Sequence, residues 1–207
     1  QYPVAMEFPF LTDAFLNALQ DTGAATPSRG WGPCHLRDGD ALMPIYARDG
    51  SRGEYVFDFA WADAYQRNGL AYYPKLVTAI PFTPVVGPRW RGDWRPQQLW
   101  EGVRERIREQ GASGWHLLFP DQAAREALQE LPLVERQACH FRWFNRGYRD
   151  FDEFLAGFNS RKRKSVRRER RRVAEQGLTV TRLTGADIDP QSWRFFFHCY
   201  ANTLSLI

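Results

Sequence analysis

Apolar residues follow two different spacings along this chain, and their alternation predicts a mixed α/β protein. In residues 8–21 and 97–110 they recur three or four positions apart, which is typical of a helix with one buried face. Apolar residues at every second position, or in short unbroken runs, indicate strands instead. Such runs occupy residues 34–37, 41–47, 72–83, 115–119, 137–145 and 178–183. We therefore expect a mixed sheet flanked by helices.

Capping residues mark further helices. Asp121 is placed to cap one helix, and Ser160 is placed to cap another. Gly177 can end the second of these in the left-handed conformation that glycine tolerates. The remaining helices are expected at residues 62–68, 151–159 and 190–206.

The positive charge of the chain is concentrated in the helix that begins near Ser160. Residues 161–172 read RKRKSVRRERRR and hold nine basic residues and one acid, whereas the whole chain has a net charge of +4. The rest of the chain is therefore mildly acidic. Neighbouring like charges on an isolated helix cost about 0.2–0.5 kcal/mol per pair. An acidic partner surface or a polyanionic ligand would offset that cost.

Two interpretations of this basic helix remain open. It could be a solvated face docked on the acidic body of the protein. Alternatively, it binds the phosphates of RNA, of a nucleotide-linked substrate or of a coenzyme. For the second interpretation, the candidate phosphate ligands are Arg163, Lys164, Arg167, Arg168 and Arg171.

Composition argues against several classes of protein. The most apolar run, residues 76–87, is shorter than a membrane span and contains two prolines, and no signal peptide is recognisable. The three cysteines, Cys34, Cys139 and Cys199, lie far apart and form no Cys-x-x-Cys pair. This spacing argues against a disulfide framework and a zinc site, and it favours a reducing compartment. We therefore expect a cytoplasmic protein without a metal.

Six strings carry a resemblance that spans nearly the whole chain. They are PFLTDAFLNALQDTG (9–23), GEYVFDFAWADAYQRNGLAYYPKL (53–76), IPFTPVVGPR (80–89), WHLLFP (115–120), HFRWFNRGY (140–148) and FDEFLAGFNSRKRKSVRRERRRVAEQG (151–177). They resemble the bacterial predicted N-acyltransferases described as peptidoglycan biosynthesis or recognition proteins, which belong with the FemAB-like transferases of the GNAT superfamily. The resemblance implies two GNAT-like lobes around a shared cleft, in a longer protein. The first lobe is expected at residues 1–147, and residues 148–207 are expected to begin the second with the basic helix.

The resemblance also implies an activity. FemAB-like transferases move an amino acid from a charged tRNA to an amine on a peptidoglycan precursor, so this chain resembles an N-acyltransferase with an anionic or tRNA-linked substrate. Acetyl-CoA-dependent GNAT enzymes hold pyrophosphate with an Arg/Gln-x-x-Gly-x-Gly/Ala loop that opens a helix. Residues 29–32, RGWG, have the wrong spacing for that loop. This argues against coenzyme A in the first lobe, although aminoacyl-tRNA and acyl-CoA both stay open as donors.

Acyl transfer to an amine needs a base, a polarised carbonyl and close positioning. Asp58 and Asp63 lie in an aromatic-rich string, where desolvation would raise a carboxyl pKa, so they are the candidate bases. The alternative places Asp63 on the outer face of a short helix and pairs Asp58 with backbone. Tyr72, Tyr73 and Lys75 form a set suited to a phosphate or a carboxylate. Its alternative is packed rings beside a solvated lysine.

Other chemistry is weakly indicated. His116 and His140 each lie in an apolar run, where a lone histidine is usually a structural core residue. No Ser-His-Asp spacing, metal cluster or nucleotide loop is recognisable in the sequence.

Two functions compete with the transferase. One is a non-catalytic module that binds RNA or an envelope precursor, and the other is an interaction protein whose basic helix docks an acidic partner. If the basic helix binds anions, reversing Arg163, Arg167 and Arg171 to glutamate should abolish that binding and spare the first lobe.

Overall fold

The computed structural model describes residues 8–139 and 141–205. The chain divides into two compact units, Gln1–Gln137 and Ala138–Ile207. The division lies earlier than the boundary at residue 147 expected from the sequence. That the two units are GNAT-like lobes stays a prediction.

Six short strands form two sheets in the described part of the first unit, residues 8–137. They are β1 (Gly32–Pro33), β2 (Leu36–Asp38), β3 (Ala41–Met43), β4 (Tyr46–Arg48), β5 (Lys75–Thr78) and β6 (Trp115–Leu117). The larger sheet has the order β1-β4-β5-β6, and β2 pairs with β3 in the smaller one. The β5–β6 pair is parallel, whereas the other pairs are antiparallel. The mixed sheet confirms the predicted mixed α/β class.

The two faces of the larger sheet differ in polarity. Leu76 and Trp115 are paired in the register, and both pack against the buried residues Leu99 and Val103. These two residues lie on α3 (Pro96–Gln110), which covers that face. Since successive side chains of a strand point to opposite faces, the neighbours of Leu76 and Trp115 point to the second face.

Register puts charged residues on that second face. Arg48 lies opposite Lys75, and Val77 lies opposite His116. Arg48, Lys75, Val77 and His116 thus share the second face. A buried charge is tolerated only when it is paired, so this face must find carboxylates elsewhere in the unit.

Three other helices belong to the first unit: α1 (Asp13–Asp21), α2 (Phe59–Arg67) and α4 (Gln122–Ala127). The side chain of Asp121 accepts a hydrogen bond from Ala124 N–H and caps α4 as predicted. No residue of α2 is buried.

A buried arginine fastens the loop before α3 to the end of β6. Arg89 is 1% exposed, and its guanidinium donates to the carbonyls of Leu118 (2.5 Å), Phe119 (2.6 Å), Pro88 (2.8 Å) and Val85. Burial lowers the pKa of Arg89 to about 10, although the negative charge of Asp121 opposes the shift. The bonds to carbonyl oxygens explain why this cation is tolerated inside the protein.

The second unit contains α5 (Phe151–Ala156), α6 (Ser160–Glu175) and α7 (Pro190–Ser205). The basic helix is α6, and its cap is Asn159 rather than Ser160. The Asn159 side chain accepts from Lys162 N–H, and Ser160 is already helical. Gly177 follows with φ +69°, which confirms the predicted left-handed end. No helix in the described part of the chain is long and apolar enough to cross a membrane.

Two predicted strands of the second half are wrong. The described residues of 137–145 and all of 178–183 lie outside any strand. Phe141 and Val180 are 92% and 86% exposed. An alternating pattern becomes a strand only where a neighbouring strand completes its hydrogen bonds and covers its apolar side. No described strand does either for these segments.

Candidate functional site

The charged face of the sheet carries a chain of four alternating charges. Arg48 Nε lies 3.2 Å from Glu54 Oε1, and Lys75 Nζ lies 2.8 Å from Glu54 Oε2. Lys75 Nζ also lies 2.5 Å from Asp58 Oδ2. Each of these side chains is at most 3% exposed. Two cations thus meet two carboxylates inside the protein, so the cluster is balanced in charge.

The loop between β4 and α2 supplies the acidic half of this ion-pair cluster. Gly53 turns the loop at φ +84°, and Ser51, Glu54 and Asp58 then lie over the sheet. Ser51 Oγ accepts from Lys75 Nζ at 2.9 Å. An ammonium has three N–H donors, and Ser51, Glu54 and Asp58 take all three. Lys75 is therefore fully engaged by the protein itself.

Asp58 connects the ion-pair cluster to two further polar groups. The Tyr72 hydroxyl donates to Asp58 Oδ2 at 2.6 Å, and Tyr72 Oη lies 3.4 Å from His116 Nε2. Asp58 Oδ1 is buried and has no hydrogen-bond partner among the described residues. Asp58 holds the N-cap position of α2, yet its side chain makes no capping bond. The Asp58 carboxylate therefore bonds to the ion-pair cluster instead of capping α2.

The pKa values of this chain of groups follow from burial and charge. Burial alone would raise the pKa of Asp58, but hydrogen bonds from Lys75 and Tyr72 outweigh it, so this pKa lies below its ordinary value. Burial and the hydrogen bond to Asp58 raise the pKa of Tyr72. Burial, assisted by the charge of Lys75, lowers the pKa of His116 to about 4. At neutral pH the chain is therefore an ionised carboxylate, a neutral phenol and a neutral imidazole.

Exposed aromatic residues flank Asp58, the buried carboxylate, in the sequence. They are Tyr55 at 55%, Phe57 at 74%, Phe59 at 53% and Trp61 at 52% exposure. Tyr55 has φ +60°, in the left-handed region that bulky residues rarely enter. Backbone strain of this kind clusters at functional sites. The Phe57 and Phe59 rings stack with their centroids 6.0 Å apart, and exposed apolar side chains that cluster in this way are typical of a binding surface.

The predicted site residues separate into two groups. Asp58, Tyr72 and Lys75 come together in the ion-pair cluster, and Tyr73 joins them because its hydroxyl lies 2.8 Å from Ser51 Oγ. Asp63 does not join them. Its side chain is 62% exposed and pairs with Arg67 at 2.9 Å on the surface of α2.

Sequence reasoning missed Arg48, Ser51 and Glu54, and it read His116 as a core residue. A signal for the first three existed in Lys75, which opens a strand of otherwise uncharged residues. A lysine there must be paired when buried, and the nearest acids that precede it along the chain are Asp63, Asp58 and Glu54, of which the last two are its partners. His140 lies outside the described residues.

The basic helix presents two kinds of cation. Arg167 pairs with Asp152 at 2.9 Å, Arg163 donates to the Phe158 carbonyl at 3.2 Å, and Arg170 lies 4.3 Å from the Phe151 ring centroid. Lys164, Arg168 and Arg171 are exposed, and none has an ion pair within the described residues. Lys164, Arg168 and Arg171 therefore form an exposed face of α6 with which no described carboxylate forms an ion pair, and Arg161, Lys162 and Arg172 are exposed as well.

No group of three or more His, Cys, Asp or Glu side chains in the described part of the chain is arranged to hold a metal ion. The carboxylates of the ion-pair cluster are occupied by Arg48 and Lys75.

The low pKa of Asp58 predicts how stability depends on pH. Its folded-state pKa lies below the unfolded value of about 3.9, so ionised Asp58 stabilises the fold above that value. This contribution is lost as the pH falls through the folded pKa. Urea unfolding of the wild type and of Asp58→Asn should therefore give a constant difference in free energy from pH 5 to 8, and a shrinking one below pH 4.

The control for that measurement is Asp63→Asn, which changes an exposed carboxylate. A wild-type to Asp58→Asn difference that stays constant down to pH 3 would contradict the prediction.

A family model described as FemAB-like, peptidoglycan biosynthesis/recognition, matches residues 3–206. No curated protein and no solved structure matches the chain significantly.

Proposed function

Since the chain belongs to the FemAB-like family of peptidoglycan biosynthesis and recognition proteins, we propose that it transfers an acyl or aminoacyl group to an amine. The acceptor is an amine on a peptidoglycan precursor. The first unit, with its parallel β5–β6 pair in a mixed sheet, serves as a GNAT-like lobe in this proposal.

The observation that carries the proposal is the hydrogen-bonded chain Asp58–Tyr72–His116, next in sequence to exposed aromatic rings. An attacking amine must lose a proton, and a positioned acceptor for that proton contributes typically 10²–10⁴ to the rate. Asp58 is 2% exposed and paired with Lys75, so it acts through Tyr72 rather than on the substrate directly. The rings of residues 55–61 supply the apolar surface that excludes water from such a reaction.

The donor in this proposal is an anionic ester or thioester, either an aminoacyl-tRNA or an acyl-CoA. The exposed cations Lys164, Arg168 and Arg171 of α6 suit its phosphates, because phosphate contacts dominate the affinity of basic surfaces for RNA. They serve equally for a nucleotide-linked donor.

A second candidate is a non-catalytic module that binds RNA or an envelope precursor. Its support is the balanced ion-pair cluster, in which Lys75 takes Glu54 and Asp58 as its own partners. Such a cluster also occurs where charges only position a loop. The two candidates agree on anion binding and differ on transfer.

The test uses the full-length protein with each donor and a lysine-containing peptidoglycan precursor as acceptor. Mass spectrometry should detect the acceptor with one added acyl or aminoacyl group. Asp58→Asn should lower the initial rate about tenfold. The substitution removes the charged acceptor that orients the Tyr72 hydroxyl, but it removes no group that touches the substrate. Asp21→Asn, at an exposed helix end, is the control and should keep the wild-type rate.

Binding of RNA or precursor without any transfer would favour the non-catalytic module. Equal rates for Asp58→Asn and the wild type would show that the ion-pair cluster has no role in the reaction.

A further inference from the structure

We propose that His116 takes the proton from the attacking amine, with Tyr72 and Asp58 as positioning residues. The inference rests on the proposed function and names the group that carries its proton transfer. It starts from the 3.4 Å approach of His116 Nε2 to the Tyr72 hydroxyl.

Hydrogen-bond donors and acceptors determine which nitrogen of His116 is free. An ionised carboxylate can only accept, so the proton between Tyr72 Oη and Asp58 Oδ2 belongs to the tyrosine. With that proton committed, Tyr72 Oη offers a lone pair to His116. The neutral imidazole then carries its proton on Nε2 and donates it to Tyr72. Nδ1 is left with an unprotonated lone pair.

The other ionisable groups of the cluster are poorly placed to meet a substrate. Asp58 and Glu54 are buried and taken by Lys75 and Arg48. Tyr72 is 7% exposed and already donates its proton. His116 is only half-buried. It is thus the group through which the buried charges can act on a molecule outside.

Charges from several segments face His116. Lys75 on β5 and Arg136 after α4 disfavour its imidazolium, whereas Asp58 favours it. Burial, Lys75 and Arg136 together lower its pKa to about 4 against the opposing charge of Asp58. The ring is therefore neutral from pH 5 to 8, with its lone pair available throughout. The imidazolium that forms during the reaction is stabilised by Asp58 through Tyr72.

The proposed step balances in atoms and electrons. The amine lone pair attacks the carbonyl carbon of the donor, a C–N bond forms, and the C=O electron pair moves to oxygen. The amine proton passes to His116 Nδ1. The intermediate then collapses and breaks the donor C–O or C–S bond. The leaving group takes the proton from Nδ1, which yields an amide, a free alcohol or thiol, and neutral His116.

The tautomer can be measured without any assay of activity. In full-length protein labelled with ¹⁵N-histidine, the signal lost in His116→Gln identifies His116 by NMR. We expect a protonated Nε2 and a bare Nδ1 between pH 5 and 8. Tyr72→Phe removes the acceptor and should turn this signal into a tautomer mixture. A protonated Nδ1 in the wild type would overturn the proposal.

The rate is tested with His116→Gln, because the glutamine amide can still donate to Tyr72 but cannot take up a proton. Transfer should fall by about 10²–10⁴, while the thermal unfolding midpoint stays within a few degrees of the wild type. His198→Gln, at an exposed position of α7, is the matched control. A His116→Gln rate within threefold of the wild type would show that His116 is not the base, although the transferase itself would stand. Absence of transfer by the wild type would instead contradict the proposed function, and the role of His116 as its base would fall with it.

Discussion

Replacement of Lys75 by methionine should lower the free energy of unfolding by about 3–5 kcal/mol, because it leaves buried carboxylates without a counter-charge. Methionine keeps most of the apolar length of the lysine stem, so the loss of packing is small. Lys75 is fully buried, and its ammonium contacts Glu54, Asp58 and Ser51. The loss is therefore electrostatic, and urea unfolding of the full-length protein at pH 7 measures it.

A matched control separates burial from charge. Arg67→Met breaks the Arg67–Asp63 pair, whose side chains are 70% and 62% exposed. Such surface pairs contribute about 0–1 kcal/mol, so the control should change the unfolding free energy by no more than that. Adding Asp58→Asn to Lys75→Met should recover part of the loss, since it removes one uncompensated charge. Equal effects of Lys75→Met and Arg67→Met would contradict a buried ion-pair cluster.

Reversal of Lys164, Arg168 and Arg171 to glutamate should weaken binding of a mixed-sequence single-stranded RNA at least about a hundred-fold at low salt. These three exposed cations lie at i, i+4 and i+7 on one face of α6, whereas Arg163 and Arg167 contact the protein itself. Loss of three phosphate contacts should also reduce the slope of log affinity against log salt by about 2, at roughly 0.7 per contact for single strands. Fluorescence anisotropy over a salt series measures both quantities.

The control for this experiment carries the same change in net charge elsewhere. Arg29, Arg104 and Arg108 are exposed residues of the first unit, and their reversal to glutamate should alter the affinity less than tenfold. Equal losses in the two triple variants would mean that only net charge attracts RNA. Unchanged binding in the α6 variant would favour the alternatives in which this helix docks on the acidic body of the protein or on an acidic partner.

The sequence alone predicted what depends on neighbouring residues. Helix α3 and the left-handed end at Gly177 follow from apolar spacing and from glycine, and these signals act within a few turns of the chain. The concentration of positive charge in α6 likewise follows directly from consecutive residues of the sequence. The resemblance placed the chain in its family, because the strings that carry it extend along nearly all of its length.

Tertiary structure decided which distant residues meet. Tyr72 and His116 are 44 positions apart, and only the parallel register of β5 and β6 brings them together. The loop between β4 and α2 turned Lys75 from a candidate substrate ligand into a buried partner of Glu54 and Asp58. Residues 178–183 alternate like a strand and form none, since no strand among the described residues completes their hydrogen bonds. Pairing and burial depend on contacts across the chain, which local pattern does not encode.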